Sequence, residues 1–182
     1  MKTPLKFAKE MKKMMSEMPL EDISVSLLCQ KLNVQRQTFY YHFHSLYDLI
    51  LEVFLNEKID GIQNVKTVEQ LISKLYGYYK DNKAFIDASI ESSSKDLFQE
   101  FIFNNIHQVL TKLMSLTQLA KKISILDRRA IIRFYAFSFT NCFIHYLSNH
   151  KNKNLKDLLN NFKFIKDDFL EYSCKCVLEN KK

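Results

Sequence analysis

The chain has 182 residues, 47% of them apolar and 26% charged, so it can bury a core and is not disordered by composition. With two glycines and two prolines it has no material for a β-sandwich, a Gly-rich nucleotide loop or a collagenous segment. An all-α protein of long helices remains. Its formal net charge is +7, yet residues 1–60 carry 8 basic and 8 acidic side chains and residues 61–182 carry 19 and 12. A basic excess favours nucleic acid in general. The lysine clusters at Lys121–Lys122 and at Lys151, Lys153 and Lys156 read instead as solvated surface.

Thr3 to about Met18 predicts a first helix, with Leu5, Ala8, Met11, Met15 and Met18 at three- and four-residue spacing, ended by Pro19. Ser24 is an N-cap, Ile23 its staple, and Val25–Leu32 the short helix that follows. Asn33 tolerates the left-handed conformation of a sharp turn, and Val34 plugs that turn. A third helix runs from Gln35 or Arg36 to Phe43. Ser45 caps a fourth, with Leu46, Leu49, Ile50, Val53, Phe54 and Ile59 on its apolar side and Gly61 at its end. Residues 61–66 form a joint. Thr67 caps a helix to Tyr79, a short helix covers Ala84–Ser92, and Ser94 caps a long one. Asp127 caps a helix from Arg128 to Leu147. After a polar loop at 148–154, Asn154 caps a single last helix to Leu178. The expected organisation is a DNA-binding unit at 1–45, a connecting helix and joint at 46–66, and a larger helical bundle at 67–182.

No apolar run is long enough for a transmembrane span, and the N-terminus lacks the apolar region of a secretory signal. The cysteines Cys29, Cys142, Cys174 and Cys176 have no zinc-finger spacing and read as reduced thiols of a cytoplasmic protein. His42 and His44, two apart, point to different helix faces, so no metal and no cofactor is expected.

The specific signal is Ile23–Phe43. Val25, Leu28, Leu32, Val34, Phe39 and Phe43 can pack a helix pair against the first helix. The second helix of the pair then offers Arg36, Gln37, Thr38, Tyr40, Tyr41 and His42, which are groups able to read base edges or hold phosphates. A helix inserted this way is how a helix-turn-helix docks. Plain structural roles compete at some positions: Phe39 and Phe43 belong to a core, Tyr40 can be half core, and Thr38 can serve as a helix-start residue.

The string Ile23-Ser24-Val25-x-x-Leu28, then Val34, then Arg36-Gln37-Thr38-Phe39-Tyr40-Tyr41-His42-Phe43 resembles the TetR family of bacterial transcription regulators. Arg-Gln-Thr-Phe-Tyr is further similar to the branch containing activators of dihydroxyacetone kinase operons. The resemblance covers about residues 5–55 in motif. It implies that Arg36, Gln37 and Thr38 approach bases, that Tyr40, Tyr41 and His42 touch phosphates or base edges, and that Ser26 touches the DNA backbone. Asn33 stands where the family usually has Gly, and Leu46 where it usually has Lys. That phosphate contact is then lost or passes to His44, Ser45 or Tyr47.

In the family the larger part dimerises and often holds a small molecule. Here Phe lies on more than one side of the helices at Arg128–Leu147 and Leu155–Leu178. A helix apolar on two sides must bury both, so the last two helices are expected to pair with those of a second copy. Polar residues among apolar ones, namely Tyr76, Tyr79, His107, Tyr135, Asn141 and His145, are the candidates for effector binding. The expected function is a dimeric regulator on palindromic duplex DNA, controlled by a small molecule or a protein co-regulator. The competing reading is a helical adaptor whose N-terminal pair only packs. An enzyme is not expected, since no catalytic triad, paired carboxylates or phosphate loop occurs.

Overall fold

A computed structural model describes residues 3–149 and 153–180. Among the described residues the secondary structure is entirely helical: α1 (Thr3–Glu17), α2 (Val25–Leu32), α3 (Arg36–His42), α4 (Leu46–Asn56), α5 (Val68–Asp81), α6 (Lys83–Glu91), α7 (Lys95–Leu116), α8 (Ile125–Asn149), α9 (Leu155–Asn160) and α10 (Phe169–Glu179), with short 3-10 turns between some of them. None of these helices is long and apolar enough to cross a membrane. Lys151 and part of the expected loop at 148–154 lie outside the described residues; Ser148 and Asn149 close α8.

The chain forms two compact units that are not contiguous in sequence. The first combines the chain up to Lys58 with Tyr79–Phe101, and the second combines Ile59–Tyr78 with the chain from Ile102 onward. In the first unit α1 buries Phe7, Ala8, Met11, Met14 and Met15, and it packs on α2, α4 and α6. Phe54 of α4 explains why the later helices join this unit. Its ring lies 5.3 Å from Phe85, 6.0 Å from Phe98 and 5.7 Å from Phe101. Lys12 adds a part-buried ion pair to both Glu57 carboxylate oxygens at 2.7 Å, with its ammonium 5.2 Å from the centre of the Phe85 ring.

Local chemistry sets the helix ends. Ser24 Oγ accepts from the Leu27 N–H at 3.1 Å, and Asn33 takes φ +52°. The fourth helix stops earlier than its apolar pattern suggests. Glu57 turns extended and reaches Lys12, and Ile59 is buried in the second unit. Gly61, expected to end that helix, instead opens a 3-10 turn at φ +70°.

In the second unit two expectations need correction. The cap of α8 is Ser124, whose Oγ accepts from the Asp127 N–H at 3.0 Å and donates to the Asp127 carboxylate at 2.8 Å. Asp127 is therefore the third helical residue and not the cap, and its carboxylate suits the positive helix end. Ser124→Ala is expected to cost about 1 kcal/mol, read as a shift of the denaturant midpoint; no shift would show the cap to be idle. The single last helix is in fact two, α9 and α10. Between them Asp167 reaches back 99 residues, and its carboxylate accepts from the Val68 N–H at 2.9 Å at the start of α5. A continuous helix would forgo this long-range cap of an orphan donor.

Cys29 and Cys174 are buried, and burial raises both thiol pKa values above the ordinary range; Cys142 is exposed. At neutral pH in the native protein, Cys142 should react with a maleimide well before these two. Equal rates at all three would contradict their burial.

Candidate nucleic-acid interface

The helix pair α2–α3 is held from behind by aromatic packing. Phe39 is fully buried and Phe43 nearly so. The Phe7 ring of α1 meets them edge-on at 5.6 and 6.0 Å. With Phe39 fixed inward, the helical period turns its neighbours outward. Arg36, Gln37, Tyr40 and Tyr41 are exposed, Tyr41 at 84%. Thr38 and His42, one turn apart, are half-buried on the edge of this face. Tyr41 and His42 rings stack edge-on at 4.9 Å, and Tyr40 stacks edge-on against Phe39 at 5.3 Å. Tyr40 thus divides its surface between core and solvent.

Flanking groups lie at helix starts. Ser26 is exposed in the first turn of α2. At the α3–α4 corner the Asp48 carboxylate accepts from the His44 N–H at 3.0 Å, and Ser45 Oγ accepts from the Asp48 N–H at 3.1 Å. These two hydrogen bonds fix the corner, with His44 and Tyr47 exposed and Leu46 half-buried. One residue was missed in the sequence. Gln35 occupies the N-cap of α3, exposed and with no side-chain capping bond. The signal was a Gln where Ser, Thr, Asp or Asn would serve the helix better. Within α3, Arg36 is the sole Lys or Arg.

The six effector candidates are dispersed. Tyr79 is buried in the first unit and donates to the Asp87 carboxylate at 3.3 Å. The other five are in the second unit. Tyr76 donates to the Lys153 carbonyl at 2.9 Å, and His107 sits 5.6 Å from the Phe103 ring. Asn141 donates to the Phe137 carbonyl, and His145 lies within 3.1 Å of the Asn149 amide; both are exposed. Tyr135 pairs with the Ser173 hydroxyl at 3.0 Å and lines a groove of about 660 Å3 between α8, the 161–168 segment and α10. Its walls are largely aromatic, including Phe134, Phe139, Phe162, Phe164 and Tyr172.

The family model described as the transcriptional regulator C-terminal region of TetR type matches residues 66–167. That is more than half of the chain, including most of the second unit. The chain belongs to the TetR family of transcriptional regulators. Among solved structures it is similar in fold to a dihydroxyacetone kinase operon activator, DhaS, with a TM-score of 0.59 and 22% identity over 90% of this chain and 98% of that one. No curated protein matches the sequence.

Proposed function

We propose that this TetR-type regulator binds duplex DNA as a homodimer, reading the major groove with α3. The observation that carries the reading is the division of α3: Phe39 is wholly buried while Arg36, Gln37, Tyr40 and Tyr41 stand in solvent. An adaptor whose helix pair only packs has no use for such a face. Arg36, Gln37 and Thr38, at the leading end, address base edges. Tyr40, Tyr41 and His42, with Ser26, His44 and Tyr47 around them, hold phosphates or further base edges. Residues 1–45 then serve as the DNA-binding part, 46–66 as the connection, and 67–182 as the part that dimerises and responds to an effector. The dimer forms through α8 and the α9–α10 region, and two-fold symmetry directs it to a palindromic operator in the cytoplasm. A small molecule or a protein co-regulator changes DNA affinity only as far as it prefers one spacing of the two recognition helices over another.

The test is selection of bound fragments from genomic DNA, followed by affinity measurement on the recovered site across a salt series. A palindromic site whose log affinity falls linearly with log salt is expected. Recovery of no enriched sequence, or binding indifferent to salt, would favour the adaptor.

A further inference from the structure

At the corner between α7 and α8 the second unit gathers exposed aliphatic and basic side chains. Leu116 ends α7 at 69% exposure, and Ile125 and Leu126 open α8 at 59% and 75%. Residues 116–129 carry Lys121, Lys122, Arg128 and Arg129 against one acid, Asp127, which the Ser124 hydroxyl already engages. Lysines alone read as solvated surface, but Arg128 does not. It is half-buried, its Nε is buried without a hydrogen-bond partner, and among the described residues no carboxylate forms an ion pair with it. Native folds rarely leave a buried donor unpaired, because its desolvation goes uncompensated. The turn at Leu119–Lys122 packs on α10. The Cys174 thiol of α10, raised by burial first, also feels Glu171 and Arg128 with opposite signs, so the guanidinium stands near α10. Of the other charges on α10, Lys175 and Glu179 pair with each other at 3.8 Å, which leaves Glu171 as the exposed acid beside this corner.

The corner thus sets one fixed and several flexible cations beside raised aliphatic groups. Leu116, Ile125 and Leu126 stand out from the surface, so a partner must bring apolar side chains to them as well as acceptors to the cations. A nucleic-acid backbone brings only the anions. An anionic bilayer would meet Glu171 as well, and a half-buried arginine cannot extend to headgroups as a free lysine does. The same corner on a second copy carries the same charge and is repelled. We propose that this corner docks an acidic amphipathic segment of a partner protein, with Arg128 holding one of its carboxylates and Leu116, Ile125 and Leu126 covering its apolar side chains. The proposal rests on the co-regulator form of the reading above, and it gives that partner a place and a charge.

The probe is a labelled synthetic helical peptide with Leu at i, i+3, i+4 and i+7 and Glu on the remaining face, titrated with the full chain and read by fluorescence anisotropy. The same peptide with Gln in place of Glu is the control. The parent is expected to bind the Glu peptide at least about tenfold more tightly than the Gln peptide. K121E/K122E, at exposed positions, and the conservative R128Q should each lose about fivefold or more for the Glu peptide, while L126S weakens both peptides. Circular dichroism, the dimer dissociation constant from sedimentation equilibrium and operator affinity should match the parent in all three. If the two peptides bind alike, or K121E/K122E binds the Glu peptide as the parent does, the proposal is overturned. It is equally overturned if K121E/K122E weakens dimerisation, which would make the corner a contact between copies. Parent binding to phosphatidylglycerol vesicles or to random duplex DNA in preference to the Glu peptide, abolished in K121E/K122E, would overturn it as well. A parent that binds the Glu peptide as expected but no operator would support the docking surface while removing the DNA-binding reading.

Discussion

Phe39→Ala is expected to destabilise the first unit by about 3–5 kcal/mol, because the lost ring is the fully buried meeting point of α1 and α3. Phe7 packs edge-on against it at 5.6 Å, and Phe43 lies 5.5 Å away. The cavity left behind is walled by rigid aromatic rings on two sides and can collapse only in part. Denaturant unfolding read by circular dichroism checks the cost, and Phe39→Leu should recover much of it. A loss under about 1 kcal/mol would show that α3 is not seated through this residue. DNA binding should fail in parallel, since α3 has no other deeply buried anchor within its own span.

Arg36→Ala combined with Tyr41→Ala should do the opposite: leave folding intact and remove DNA affinity. Both side chains are exposed, so stability should change by no more than about 0.5 kcal/mol. Affinity for the selected operator should fall by about 100-fold or more, since each dimer loses two guanidinium forks and two phenols, with about 1–3 kcal/mol for a good bidentate base contact. The slope against salt should become shallower, because Arg36 is the sole Lys or Arg of α3. Arg36→Lys keeps the charge but not the fork, so it should retain salt dependence while losing discrimination between sites. Electrophoretic mobility shift or fluorescence anisotropy on the same operator separates the three. Equal affinity and equal slope for the double variant and the parent would remove α3 from the interface.

What could be read in the residues was what depends on neighbours in sequence. Ser24 before an apolar run is an N-cap wherever it occurs, and Asn33 is among the few residues other than glycine suited to the left-handed turn it makes. The alternation of Phe39 with Arg36, Gln37 and Tyr40 named the buried and outward sides of α3 directly. Features set by distant partners stayed hidden. The break between α9 and α10 follows from Asp167 serving the start of α5, and nothing near Asp167 announces that. The first unit takes in α6 and part of α7 because Phe54 meets Phe85, Phe98 and Phe101. The polar groups singled out for an effector show a third limit. Tyr79, Tyr135 and Asn141 each have a partner within the fold, and residue type alone does not distinguish a hydroxyl or amide engaged at home from one waiting for a ligand. At α8 the Ser124 hydroxyl, and not the Asp127 carboxylate three residues on, accepts the N–H bond of the first turn.

The most direct test of the whole account is hydroxyl-radical footprinting of the parent protein on its selected operator, with methylation interference to report guanine N7 in the major groove. Two protected patches related by a dyad, their centres a whole number of turns apart at about 10–10.5 base pairs per turn, with interference at guanines within them, are the result expected of paired α3 helices. A single unsymmetrical patch, or protection without any major-groove interference, would contradict it.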